Sequence, residues 1–270
     1  MPFDTIKTKR NFGWLPDRPD PRDRKYSVDR LPLEQISLPA SVDLRAGFPL
    51  PPYDQGALGS CVSNALAANM QYLRLKQKLP TFMPSRLFIY YNARLYDGNP
   101  SEDSGTYIRT GVKVLTKAGF AHETLWDYDI SRFDEKPSKE AYEDARRYYP
   151  LKYFRVNNKD IKQVKNCLAA GYPVVFGFAM FENFFQSDEK NGVVPMPDGS
   201  MIGGHCVLLT GYDDSKELFQ IRNSFGTNIA DSGYYYMPYE YIINPELCDD
   251  FWTIRLVSSE YKDRPIWKIV

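Results

Sequence analysis

The feature that most constrains the fold of this chain is one phrase, Asp54-Gln55-Gly56-Ala57-Leu58-Gly59-Ser60-Cys61, running straight into Val62-Ser63-Asn64-Ala65-Leu66-Ala67-Ala68-Asn69-Met70. A glycine-rich loop ends at a cysteine, and an Ala-rich run with helical spacing begins there. A thiol at a helix N-terminus sits at the positive end of the macrodipole, beside unpaired backbone N–H groups. Both favour the thiolate, which is the nucleophilic form. This position can carry chemistry before any partner is identified.

The search for a base is short, because the chain has two histidines. His122 lies in the polar stretch Gly119-Phe120-Ala121-His122-Glu123, after a predicted helix. His205 lies in Gly203-Gly204-His205-Cys206-Val207-Leu208-Leu209-Thr210, which reads as a turn entering a buried strand. A histidine at the mouth of a strand is held rigidly, as a base must be. Taken alone it is as readily a satisfied core residue. Downstream, Ile221-Arg222-Asn223-Ser224-Phe225-Gly226 supplies an asparagine that can orient the imidazole by accepting from its second ring nitrogen. Cysteine, histidine and asparagine in that order turn the reading from core packing to catalysis.

These segments resemble the papain-like cysteine proteases, the cathepsin family, over about residues 41 to 245. Ser41-Val42-Asp43-Leu44-Arg45 resembles the start of the mature enzymes. Gln55-Gly56 with Gly59-Ser60-Cys61 resembles the oxyanion and nucleophile segment. Asp103-Ser104-Gly105-Thr106 resembles the glycine strand that pairs with substrate backbone. Gly204-His205 resembles the base segment, and Arg222-Asn223-Ser224-Phe225-Gly226-Thr227 with Asp231-Ser232-Gly233-Tyr234-Tyr235 resembles the asparagine segment and its hairpin. His205 follows Cys61 by 144 residues, within the interval of about 130–150 found in papain-like enzymes.

The residues define a chemistry. Cys61 Sγ attacks a carbonyl carbon; His205 takes the thiol proton and returns it to the leaving amine; Asn223 fixes the ring. The backbone N–H of Cys61 is one candidate oxyanion donor, and the resemblance implies the Gln55 side-chain amide as the other. Gly105 lets a peptide lie close. By resemblance, Thr106 and Gly204 are also substrate-binding positions, and Tyr107 and Cys206 fall near the pocket for the second residue before the scissile bond. Tyr107 and Cys206 are equally readable as packing residues; as pocket lining they suit an apolar or aromatic guest. The chain departs from the family in three ways. Leu58 stands where secreted relatives have a cysteine, so this chain is similar to members lacking that disulfide. Phe225 and Ile229 stand where indoles flank the asparagine; Phe225 can still shield the Asn223–His205 hydrogen bond. The segment before Ser41 is shorter than the usual helical prosegment.

Composition narrows the partners. The 270 residues include 34 basic and 34 acidic ones, with no basic stripe for nucleic acid. Two distant histidines and four scattered cysteines offer no metal spacing, and no cofactor is implied. Cys61, Cys167, Cys206 and Cys248 are too few for a disulfide-stapled secreted domain, although a Cys167–Cys248 pair stays open. Met1-Pro2-Phe3-Asp4-Thr5-Ile6-Lys7 lacks the apolar core of a signal peptide, and no run is long enough to span a membrane. A reducing, cytoplasmic location is the default expectation.

The predicted fold is therefore α+β, a papain-like two-lobed unit with its site in the cleft. Residues 39–165 form a mainly helical lobe and 166–258 an antiparallel, barrel-like β lobe. Residues 1–38 are a Pro- and charge-rich extended arm or short prosegment, and 259–270 a tail. Helices are predicted from Cys61, over Ser85–Tyr96, Ile108–Ala118 and Glu140–Tyr149, and around Cys167. Strands are predicted at Val174–Phe178, Cys206–Thr210, Leu218–Ile221, Gly233–Met237 and Trp252–Val257. The arm either lies in the cleft and silences the enzyme or wraps the surface, and its shortness favours the surface. The expected function is an endopeptidase acting on peptides or proteins, with oligomeric state open. A peptide-binding module on the same fold, or an acyl transferase or isopeptidase on the same site, would carry the same residues.

Overall fold

The computed structural model describes residues 11–27, 37–188 and 191–258. The predicted 259–270 tail lies outside them. In chain order the strands are β1 (Trp14–Leu15), β2 (Ser41–Asp43), β3 (Thr106–Tyr107), β4 (Pro150–Arg155), β5 (Val174–Phe181), β6 (Met201–Asp213), β7 (Leu218–Arg222), β8 (Tyr234–Pro238) and β9 (Cys248–Val257). The helices are α1 (Cys61–Lys76), α2 (Arg86–Asp97), α3 (Ile108–Lys117), α4 (Lys139–Ala145), α5 (Ile161–Ala169) and α6 (Tyr239–Ile243).

The seven-stranded sheet runs β4-β9-β5-β6-β7-β8, with β2 added to β6, and every pair is antiparallel. It is an open sheet, not a closed barrel. Val174–Phe181 is apolar almost throughout because both its faces are covered. Val175, Cys206, Leu208, Trp252 and Ile254 join the core under α1, whereas Val174, Phe176, Phe178, Val207 and Leu209 join the core on the far side. The period of two along each strand sorts neighbouring residues between these cores.

The helical lobe packs by close approach. Gly111 on α3 meets Leu66 on α1 so closely that an added Cβ would lie 2.4 Å from Leu66 Cδ1. Ser85 caps α2 by accepting from Phe88 N–H, and Gly98 ends that helix at φ +93°. Two expectations need correction. Residues 146–149 are not helical: α4 stops at Ala145 and the chain enters β4 at Pro150. The sheet thus takes up the chain before residue 166, because Tyr153, Phe154 and Arg155 pair with Ile254, Thr253 and Trp252. All four cysteines are free thiols, so the open Cys167–Cys248 pairing does not occur.

Leu66 is fully buried at the junction of α1 and α3. Leu66→Ala is expected to cost about 2–5 kcal/mol of folding stability, read as a lower urea midpoint. A loss below about 1 kcal/mol would contradict the close packing of this lobe.

Candidate functional site

Cys61 is the first residue of α1, and Ser60 before it offers no side-chain cap. The orphan amides of that turn are therefore directed elsewhere. Backbone N–H groups of Cys61, Val62, Cys206 and Gly13 all reach the Cys61 sulfur and favour its thiolate. Burial is the larger effect, and the thiol is pushed up to about 11. The sequence-based expectation of a depressed thiol is thus reversed in this state, because the helix end is sealed from water.

His205 lies within β6, paired with Phe178, rather than at the strand's mouth. Its Nε2 is 2.8 Å from Asn223 Oδ1. That oxygen also accepts from Ser224 N–H at 2.8 Å, which assigns the proton to Nε2 and leaves Nδ1 as the acceptor nitrogen. Phe225 stacks on the imidazole at 4.8 Å, with Phe178 edge-on at 5.6 Å. The Cys206 amide that reaches Cys61 belongs to the residue after His205, so the thiol and the imidazole share one end of the cleft.

Gln55 and the asparagine segment are stitched together. Gln55 N–H donates to Ser224 O at 2.9 Å, and Ser224 Oγ donates to Gln55 Oε1 at 2.5 Å. With its oxygen so engaged, Gln55 turns Nε2 toward Leu58 O at 2.9 Å and Asn11 O at 3.2 Å. Leu58 is buried against Leu87, Phe88 and Trp126, filling by apolar contact the place of the family's cysteine. Asp103 was not singled out from sequence, yet its carboxylate accepts from Gly59 N–H at 3.0 Å and from Tyr90, fixing the loop before Cys61. His122 stands apart, stacked 3.6 Å from Phe82 and 2.7 Å from Asp144. Among the described residues no group of three or more His, Cys, Asp or Glu is placed to hold a metal ion. No helix among them is long and apolar enough to cross a membrane.

Residues 11–17 of the arm lie in the cleft, not over the surface as the arm's shortness favoured. Trp14 and Leu15 pair in parallel with Thr106 and Tyr107, and Thr106 N–H donates to Gly13 O at 2.8 Å. Gly13 is pressed between two walls: a Cβ on it would lie 1.7 Å from Gly59 O, and a Cβ on Gly105 would lie 2.2 Å from Gly13 O. Gly105 holds φ +71°, which a side chain would strain as well. A Cβ on Gly204 would meet Trp14 O at 2.4 Å, and Phe12 stands edge-on to His205. Of the predicted substrate-facing positions, Gly105, Thr106, Tyr107 and Gly204 thus line the arm, and Cys206 is buried beside Cys61.

The arm is tied down beyond the cleft. Arg109 on α3 donates to Asp23 at 3.0 and 2.7 Å and to Arg18 O at 2.8 Å, and lies 3.8 Å from Asp17. Arg155 reaches Asp250, Asp249, Asp23 and Asp17. Asp17 N–H donates to Asp250 Oδ2 at 2.7 Å. Burial first, and then the neighbouring Asp250 charge, push the Asp17 carboxyl up to about 7 despite Arg109 and Arg155; burial raises Asp250 too.

Residues 38–248 match the papain family cysteine protease model. The chain belongs to the papain family of cysteine proteases. It is 40% identical to an uncharacterized peptidase C1-like protein of Acanthamoeba polyphaga mimivirus, over 95% of this chain and 90% of that one. It is 28% identical to cathepsin S of Mus musculus over 79% and 63%. Among solved structures it is similar to Xylellain, a cysteine protease from Xylella fastidiosa, with 42% identity, a TM-score of 0.84, and 92% and 96% of the two chains covered.

Two outcomes follow from this geometry. Gly13→Val cannot fit between Gly59 and Gly105, so the full chain bearing it should alkylate at Cys61 at least tenfold faster than wild type, followed by peptide mapping. Equal rates would mean that the arm does not seal the thiol. The second concerns pH. A docked carboxyl above its free value of about 3.8 makes docking strongest in acid and weaker as pH rises toward about 7. The raised thiol has the same sign at higher pH. The Gly13→Val to wild-type rate ratio should therefore shrink between pH 4 and pH 8. A ratio that grows with pH would contradict the buried Asp17–Asp250 pair as an arm anchor.

Proposed function

We propose that this cysteine protease is an endopeptidase acting on peptides or proteins through Cys61, His205, Asn223 and Gln55, and that residues 11–17 hold it latent. The observation that carries the reading is His205 Nε2 at 2.8 Å from Asn223 Oδ1, one residue from the amide that reaches Cys61 Sγ. Asn223 keeps the Nε2 proton in place, so Nδ1 is the nitrogen that takes the thiol proton. The thiolate adds to the scissile carbonyl, and the carbonyl oxygen becomes negative. The Cys61 N–H and Gln55 Nε2 then serve as oxyanion donors; in the latent state Gln55 Nε2 is 3.2 Å from the Asn11 carbonyl instead. Collapse breaks the C–N bond as His205 protonates the leaving amine, leaving a thioester on Cys61. Water, deprotonated by His205, hydrolyses it and restores the thiol.

Opening the cleft removes what buries the thiol. Without the arm, the Gly13 amide is lost, solvent reaches the N-terminus of α1, and the amides of Cys61, Val62 and Cys206 with the neighbouring imidazole act on Cys61 with less opposition from desolvation. Arg109 is the natural point of release, since among the described residues its guanidinium hydrogen bonds run only to the arm.

Cys61→Ala is expected to abolish hydrolysis of a fluorogenic peptide while sparing peptide binding. Gln55→Ala should lower kcat by about 10²–10³ with a smaller change in KM. Arg109→Ala should raise activity. Residual turnover in Cys61→Ala would overturn the assignment of the nucleophile, and unchanged or lower activity in folded Arg109→Ala would overturn the latent state.

A further inference from the structure

We infer that Tyr128 is a positioning residue for the oxyanion site: its hydroxyl bridges the backbone of Gln55 to the side chain of Ser60 and so fixes the carriers of the two oxyanion donors relative to each other. The inference rests on the protease reading above.

The two donors belong to opposite ends of one short loop. Gln55 opens it and Cys61 closes it, with Gly56 and Gly59 between. Gly56 holds φ +62°, and glycine loses more conformational freedom on ordering than any other residue. Such a loop keeps its ends in register only when something outside it grips both. Tyr128 does so. Its Oη–H donates to Gln55 O at 3.0 Å, and the same oxygen lies 2.5 Å from Ser60 Oγ. Because the phenolic proton goes to Gln55, the Ser60 hydroxyl donates to Tyr128. Ser60 Oγ in turn accepts from Asn64 Nδ2 at 3.0 Å, and Asn64 Oδ1 accepts from Arg86 Nη1 at 3.3 Å. The chain of donors therefore runs one way, from a guanidinium through an amide and two hydroxyls to the Gln55 carbonyl. Hydrogen bonds aligned in this way polarise one another.

Both ends of the loop are completed by further bonds. Ser224 takes Gln55 N–H and donates to Gln55 Oε1, so the Tyr128 bond to the backbone carbonyl leaves Nε2 aimed by three fixed points. At the other end, Ser60 O accepts from Ser63 Oγ at 2.9 Å and from Asn64 N and Nδ2 at 3.0 Å each. That carbonyl shares a peptide group with Cys61 N–H, and three donors on the oxygen strengthen the N–H as a donor.

Tyr128 is itself placed by a buried charge. It follows the 3₁₀ turn Glu123–Leu125. Arg86, at the start of α2, lies 3.8 Å from the centre of its ring and donates to Glu123 Oε1 at 2.7 Å and Oε2 at 2.9 Å. Arg86 Nη1 also reaches Asp54 O at 3.2 Å. One arginine thus places the phenol, the asparagine and the residue before Gln55. In the tetrahedral state two donors must meet one oxygen at about 2.7–3.1 Å. A donor displaced by about 1 Å can cost up to 10²-fold in rate. Loss of the Tyr128 hydroxyl should therefore weaken the oxyanion donors and spare the thiol–imidazole pair.

The test takes the full chain with Gly13→Val as parent and reads two reactions. Hydrolysis of a fluorogenic peptide builds a negative oxygen; alkylation of Cys61 by iodoacetamide displaces iodide from a saturated carbon and builds none. Tyr128→Phe keeps the ring over Arg86 and removes one oxygen. It should lower kcat by about tenfold with KM within about twofold, and leave the alkylation rate and its pH profile unchanged. Ser60→Ala breaks the chain one link earlier and should likewise lower kcat while sparing alkylation. In a Gln55→Ala parent, Tyr128→Phe should cost less than about threefold more, because the donor it chiefly positions is gone. Unchanged kcat in both hydroxyl variants, alkylation that falls in parallel with kcat, or a full tenfold loss in the Gln55→Ala parent overturns the inference and leaves the protease intact. No Cys61-dependent cleavage by the Gly13→Val parent would overturn the protease reading and the inference with it.

Discussion

The arrangement depends on the seam where the nucleophile loop meets the sheet. Gln55 is held to Ser224 by a backbone and a side-chain hydrogen bond, and Gly226 N–H reaches Tyr53 O at 2.8 Å. Arg222 reinforces the seam by donating to Leu50 O and Pro51 O. These contacts join the chain before α1 to the turn after β7. Cys61 sits on one side of that seam, and Asn223 with His205 on the other. Because the groups are buried, hydrogen bonds here are stronger than at the surface and the penalty for leaving one unmade is larger. A shift of the loop would therefore disturb Gln55, Cys61 and the orientation of the His205 imidazole together.

Two opposing effects act on Cys61, and their balance is set by the arm. The helix end and four amides favour the thiolate, whereas enclosure by Gly13 and its neighbours favours the thiol. Desolvation wins while the cleft is filled. The arm is suited to this by its backbone: Gly13 has no side chain, and its carbonyl pairs with Thr106. The anchor at Asp17, Asp23, Arg109 and Arg155 lies away from the thiol and buries charge on both arm and body.

Much of the site was legible in the sequence because it is built from contiguous phrases. Gly59-Ser60-Cys61, Gly204-His205 and Arg222-Asn223-Ser224 each place a candidate residue by local sequence, and Phe225 stacks on His205. The helix from Cys61 and the strand at Val174 follow from periodicity. The Trp14–Asp250 hydrogen bond was invisible, because it depends on a one-residue bulge and joins residues 236 positions apart in sequence. Asp103 was quoted only as part of a motif, and its bond to Gly59 N–H is a tertiary fact. β4 was missed because Leu151 and Lys152 are exposed at the sheet margin and its pairing partner lies a hundred residues on. The arm's course into the cleft depended on glycine facing glycine, which composition does not express.

The most direct measurement is the covalent intermediate itself. The full chain with Gly13→Val would be mixed with a peptidyl thioester or nitrophenyl ester, quenched within milliseconds, and read by intact mass and peptide mapping. A rapid burst of one acyl group per chain, on Cys61 alone and lost in a His205→Ala partner, is the result the Cys61–His205–Asn223 assignment predicts. An acyl group on another cysteine, or one that forms on Cys61 equally fast without His205, would contradict it.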